Sequence, residues 1–160
     1  MDKNSPPESF GAFKPVNHVV IALPSADAVD AAARELEEAG IAEIVQYTPE
    51  DMIRQADQEL ANASSVAAVG QELNLVRAHR ELALKGHGFL VVPAGDDSQL
   101  SRIKEIAQRH RAARTQRYGR FIIEELMEVG EGLTQVGESP ARGLDAQTVT
   151  GTEPQGDKQR

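Results

Sequence analysis

The chain runs through the same short pattern twice, and that constrains its fold more than any other feature. His18–Leu23 (HVVIAL) is a continuous apolar run closed by Pro24. Ser25 then opens an Ala-rich amphipathic helix, Gly40 ends it, and a second strand carries Gln46-Tyr47. Further on, Phe89–Val92 is an equally apolar run closed by Pro93. Asp96 or Asp97 caps a helix with Leu100, Ile103, Ala107 and His110 inward, and a strand carries Arg117-Tyr118. His18 lies six residues before Pro24, and His87 six before Pro93. Short apolar runs bounded by proline read as buried strands, and capped 3.6-period segments read as helices. Two βαβ halves predict an α/β (α+β) domain.

The arrangement expected is a ferredoxin-like split βαβ sandwich, with the first and third strands central and neighbours antiparallel. The alternative is a doubly wound parallel sheet, which the same alternation of strands and helices allows. Residues 49–86 lie between the halves as a helical hairpin, expected to cover a sheet edge or the open face. Thr48-Pro49-Glu50-Asp51 is a helix start. Threonine caps, proline takes the first turn, and the acids suit the positive end of the dipole. Met52, Ile53, Ala56 and Leu60 form the buried face of that first helix.

The second hairpin helix, capped by Ser64 or Ser65 and ended by Gly86, has Val69, Leu73, Leu75, Val76, Leu82 and Ala83 on one face. Asn74, Arg77, Glu81 and Lys85 lie opposite. Glu72 and His79 fall within the apolar face. A charged group there is costly unless paired or hydrogen-bonded. Seven residues put the two roughly 10 Å apart along the axis, too far to touch but able to share a groove. One reading is a polar pair lining a ligand pocket, with His79 exchanging protons near neutral pH. The other is that Glu72 bonds a backbone amide or an arginine and His79 is a satisfied core histidine.

The segment Val16–Met52, VNHVVIALPSADAVDAAARELEEAGIAEIVQYTPEDM, resembles the βαβ domain of bacterial heat-induced general stress proteins. There too an apolar strand leads to an acidic Ala-rich helix, a glycine, a second strand and an acidic turn. The QELNLVRAHREL helix and the RYGRFIIEEL strand lie outside the resemblance. Since that family has no well-defined biochemical activity, the resemblance implies an association with stress and not a reaction.

Charge adds a second candidate site. Between Arg102 and Arg120 stand seven Lys or Arg against one acid, Glu105, so this segment is +6 in a chain of net charge −8. A local anion-facing surface is expected. Arg117-Tyr118-Gly119-Arg120-Phe121 loosely echoes an RNA-recognition strand, in which aromatics stack bases and arginines hold phosphates. Arg111, Arg114, Arg117, Tyr118, Arg120 and Phe121 are the candidates. The last strand is expected from about Arg114 to Glu125, with Gly119 inside it as a bulge or close backbone approach. Other patterns are missing from the sequence. There is no cysteine, and no P-loop, dinucleotide-binding glycine motif, nucleophile elbow or H-E-x-x-H. His18, His79, His87 and His110 have no short ligand spacing, so neither a metal nor a cofactor is expected.

Residues 1–14 read as a disordered arm, 15–127 as a single domain, and 128–160 as a disordered tail rich in Gly, Thr, Gln, Glu and Pro. The polar amino terminus lacks the apolar run of a signal peptide, and no segment approaches transmembrane length, so a cytoplasmic location is expected. Three functions are weighed. The first is a non-enzymatic, stress-associated binding or regulatory domain that self-associates or takes a protein partner. The second is RNA or nucleotide binding through the basic 102–120 segment. The third is a small-molecule enzyme or sensor using Glu72 and His79.

Overall fold

Each helix in the structure is started and stopped by the local chemistry of its ends. The computed structural model describes residues 8, 9, 12, 13, 15–62, 71–120 and 122–127, and the side chains of all of these except 8, 9, 12, 13, 71 and 72. In chain order the elements are β1 (Glu8–Ser9), β2 (Ala12–Phe13), β3 (His18–Leu23), α1 (Ala26–Glu38) and β4 (Val45–Tyr47). They continue as α2 (Pro49–Asn62), α3 (Gln71–Leu84), β5 (Gly88–Pro93), α4 (Asp97–Arg109), β6 (Arg114–Tyr118) and β7 (Ile123–Glu125). Ser25 Oγ accepts from the Ala28 amide at the start of α1. Thr48 and Asp51 cap α2 reciprocally, each side chain accepting from the other's amide at 3.0 and 3.1 Å. Asp96 and Gln99 do the same for α4.

Three helices end in one motif. After α1, Gly40 N–H donates to Glu37 O and Ile41 N–H to Leu36 O. After α3, Gly86 donates to Ala83 and His87 to Leu82. After α4, Arg111 donates to Gln108 and Ala112 to Ala107. This is the paired closure that puts the residue after the cap in the left-handed region. Gly40 and Gly86 take it at φ 87° and 93°, whereas Arg111 takes it at 58° with a side chain attached.

The main sheet has strand order β4-β5-β3-β6-β7, and every pairing in it is antiparallel. The doubly wound parallel alternative is therefore overturned, and the fold is α+β. The segment expected as one strand from Arg114 to Glu125 is instead two. Gly119 N–H bonds Ile122 O at 2.9 Å and the chain reverses, so β7 returns beside β6. A Cβ at Gly119 would sit 2.9 Å from that same oxygen, so the close approach expected there is real, but it makes a turn and not a bulge. The strand that carries Gln46-Tyr47 is short, because Glu43 adopts φ 59° and the extended backbone begins only at Val45. Ser64, Ser65 and Val69 lie outside the described residues. Within the amino-terminal stretch, β1 pairs with β2, and β2 lies against α3 and α2.

Strand alternation divides the interior in two. Val19, Ile21 and Leu23 of β3, with Leu90 and Val92 of β5, face α1 and α4, where Val29, Ala32, Leu36, Ile103, Ile106 and Ala107 are buried. Val20, Ala22, Phe89 and Val91 face the other way, onto Met52 of α2 and Leu75, Leu82 and Ala83 of α3. The hairpin between the two halves thus lies across the second face of the sheet, giving three layers. Ala56, Leu73 and Val76 close the contact between α2 and α3. Outside, Arg80 Nε donates to Asp57 Oδ1 at 2.6 Å, tying the two helices to each other.

Candidate functional site: a buried polar chain beneath the helical hairpin

The period of two in β6 puts Arg114, Gln116 and Tyr118 on the face that α3 covers, and all three are buried. On α3 the helical period brings His79 to the same interface, 1% exposed. His79 Nε2 lies 2.8 Å from Gln116 Oε1. The Gln116 amide nitrogen donates to Glu125 Oε1 at 2.8 Å, and Arg114 Nη1 donates to that oxygen at 3.0 Å. Because the Gln116 nitrogen must donate to a carboxylate, its oxygen is left to accept, and His79 carries its proton on Nε2. The chain therefore runs from α3 through β6 to β7. The His79 ring also stands edge-on to Phe89 of β5, with centroids 5.4 Å apart.

The electrostatics follow from burial. Desolvation holds the His79 imidazole down to about 4, opposed by the Gln116 bond and reinforced by the Arg114 charge. His79 is neutral at pH 7. Glu125 is pushed upward by its own burial, while Gln116 and Arg114 pull it back. Among the described residues Arg114 Nη2 and Glu125 Oε2 are buried with no hydrogen-bond partner, so the pair is held by one oxygen and one nitrogen only.

On its other side His79 meets α2. A cavity of about 10 Å³ is lined by Met52, Gln55, Ala56, Glu59, Val76 and His79. That is room for about one water molecule. Glu59, 2% exposed, accepts a hydrogen bond from Gln55. The sequence predicts Leu60 on the buried face of α2 and does not single out Glu59 there. Leu60 is only partly buried, and Met52, Ala56 and Glu59 make the inner stripe. The i, i+4, i+7 spacing would have found it.

The candidates from sequence fall in different places. His79 is in the chain just described, and the side chain of Glu72 lies outside the described residues. Arg114 and Tyr118 are inside the protein at 2% and 1% exposure, with Arg114 on Glu125. Arg117 points to the opposite face and lies 3.6 Å from Glu124. Arg111 is exposed in the turn before β6, and Arg120 is exposed in the turn after it, so the strand separates them. Phe121 lies outside the described residues. Two arginines of the basic segment are occupied elsewhere. Arg109 bonds Glu35, which His110 also contacts at 2.6 Å, and Arg102 lies 3.8 Å from Glu105. Thus the structure does not gather the five described nucleic-acid candidates on one surface.

A second hollow, of about 240 Å³, opens to solvent between α1 and α4 and is lined by Glu35, Glu38, Ala39, Arg102 and Ile106. Among the described residues no group of three or more His, Asp or Glu is placed to hold a metal ion. No described helix is long and apolar enough to cross a membrane. No family model, no curated protein and no solved structure matches the chain.

Proposed function

We propose that the chain is a non-enzymatic binding or regulatory domain, associated with stress, built on a ferredoxin-like split βαβ sandwich whose open face has acquired a helical cover. The order β4-β5-β3-β6, with β3 and β5 innermost in that set and all neighbours antiparallel, supports the sandwich. So does the equivalence of the two halves, in which a capped helix follows each central strand and ends in the same closure.

The observation that carries the functional reading is the bond from His79 to Gln116. The residue best suited to proton chemistry is buried, held neutral and spent on attaching the hairpin to the sheet. A group used this way serves the relation between two layers of the protein. The resemblance of residues 16–52 to general stress proteins supplies the association with stress. Binding to a protein partner or a second copy belongs to the same reading. Native mass spectrometry and light scattering of protein taken from its own host test it. A retained partner or a defined oligomer supports the reading. A strict monomer that retains neither partner nor ligand, under both neutral and acidic conditions, would sink it.

A further inference from the structure

The hairpin is attached in a way that allows it to leave. It is one contiguous piece inserted between β4 and β5, so its removal breaks no strand pairing of the main sheet. Its helices are joined to each other by Asp57–Arg80 on the outside and by Ala56, Leu73 and Val76 on the inside. It therefore has the makings of a single body. Beneath it, among the described residues, the contact with the sheet is mostly apolar and is crossed by the polar chain through His79.

We propose that the α2–α3 hairpin is an acid-releasable cover of the sheet, and that His79 is the group that releases it.

The groups around His79 are arranged to favour release on protonation. From α2, the carboxylate of Glu59 lines the cavity that His79 also lines. From β6 come the Arg114 charge and the neutral Gln116, and from β7 comes Glu125. Phe89 of β5 brings no charge. Glu59 and His79 both belong to the hairpin, so an imidazolium on His79 is attracted to a group that travels with it. Arg114 stays with the sheet and repels it. Glu125 is the sheet's only counter-charge facing this spot among the described residues. Burial makes it take up a proton more readily than an ordinary carboxylate. As the solution is acidified His79 becomes a cation that stays buried against Arg114 unless the hairpin lifts, while proton uptake by Glu125, which burial favours, acts against release.

Release uncovers Val20, Ala22, Tyr47, Phe89, Val91 and Tyr118, a continuous apolar strip. Exposed strips of this kind are where proteins bind other proteins. In the opposite layer no described ionisable side chain is fully buried, and its His110–Glu35 contact lies part-exposed between α1 and α4. The inference goes beyond the binding reading and stands without it, because its test reads hairpin opening and not a partner.

The test is hydrogen–deuterium exchange of the full chain, corrected for the intrinsic effect of pH on exchange, between pH 6.5 and 4. The amides of α2 and α3 are expected to exchange as one unit and faster than those of α1 and α4. Their opening constant should rise by up to about 80-fold across that span, the part of the effect of a shift from 6.5 to about 4 that falls between those two pH values. In His79→Gln the rise should flatten. Equal exchange rates in both layers would overturn the proposal, and so would a His79→Gln protein that keeps the acid response. Should that variant fail to fold, an NMR titration of wild-type His79 decides. Titration near 6.5, or without any change in α2 and α3 amides, overturns the proposal.

Discussion

The two faces of the sheet are closed by different physics. On the α1–α4 side no buried side chain among the described residues is ionisable; apart from Thr115 they are apolar, and the layer is held by area removed from water and by close packing. On the α2–α3 side apolar packing is interrupted by His79, Glu59, Gln116 and Arg114, each bonded to another polar side chain. Apolar packing is almost indifferent to pH, whereas a buried imidazole is not. The same sheet thus supports one layer whose interior holds no buried ionisable group among the described residues and another that holds a buried imidazole.

The largest effect should come from the apolar side. Leu36→Ala removes a fully buried side chain of α1 and should cost about 4 kcal/mol. Chemical denaturation should give the same loss at neutral and at mildly acidic pH. A loss that grows on acidification would blur the distinction between the faces.

The next effect belongs to His79 alone. Its folded value of about 4 lies below the unfolded value of 6.5, so between them the unfolded chain binds the extra proton. The His79 contribution is therefore complete above pH 6.5, falls as the pH drops toward 4, and is gone below that. Its full size is about 3 kcal/mol. Glu125, raised by burial, acts in the opposite direction and adds stability as it takes up its proton. Denaturation at a series of pH values on wild type and His79→Gln separates the two, and the difference between the curves should fall across this window.

Breaking the ion pair beneath the hairpin comes third. Glu125→Leu leaves Arg114 buried without its partner and should cost about 2 kcal/mol, less than a fully enclosed pair because Glu125 is partly open to solvent. Arg114→Met combined with Glu125→Leu should recover most of the loss, as a thermal melt of the double variant would show. No recovery would mean that Gln116 alone uses the carboxylate.

The smallest effect is a gain. Arg111→Gly removes a Cβ from a left-handed position that Gly40 and Gly86 fill elsewhere, and should stabilise the protein by about 1 kcal/mol. The gain should be independent of pH, because Arg111 lies on the apolar side of the comparison. A melting temperature that does not rise would show that the arginine makes a compensating contact.

Much of this could be read from the chain. The apolar runs at His18–Leu23 and Phe89–Val92, the caps at Ser25, Thr48 and Asp96, and the stops at Gly40 and Gly86 depend on neighbours in sequence. Burial of His79 was also legible, from its place on the apolar stripe of its helix. Its partner was not. Gln116 is far away in sequence, and only the pairing of β6 beside β3 brings it under α3. Arg114 and Tyr118 look like surface groups in a basic segment until that pairing turns them inward. The stop after α4 went unseen because arginine seldom takes the conformation that glycine takes easily. The reversal at Gly119 was readable as a close approach, but a single glycine does not say whether a strand bends or turns back.

Tyr47 at the end of β4 lies directly opposite Phe89 near the start of β5. The whole helical hairpin therefore leaves and re-enters the sheet at one point, where a two-residue turn of the common hairpin type would join the strands equally well. The cover is thus joined to the sheet at one place, and shortening that joint to a turn leaves every strand pairing of the main sheet in place. In terms of engineering, that joint is a socket where another helical pair, or none, can be spliced.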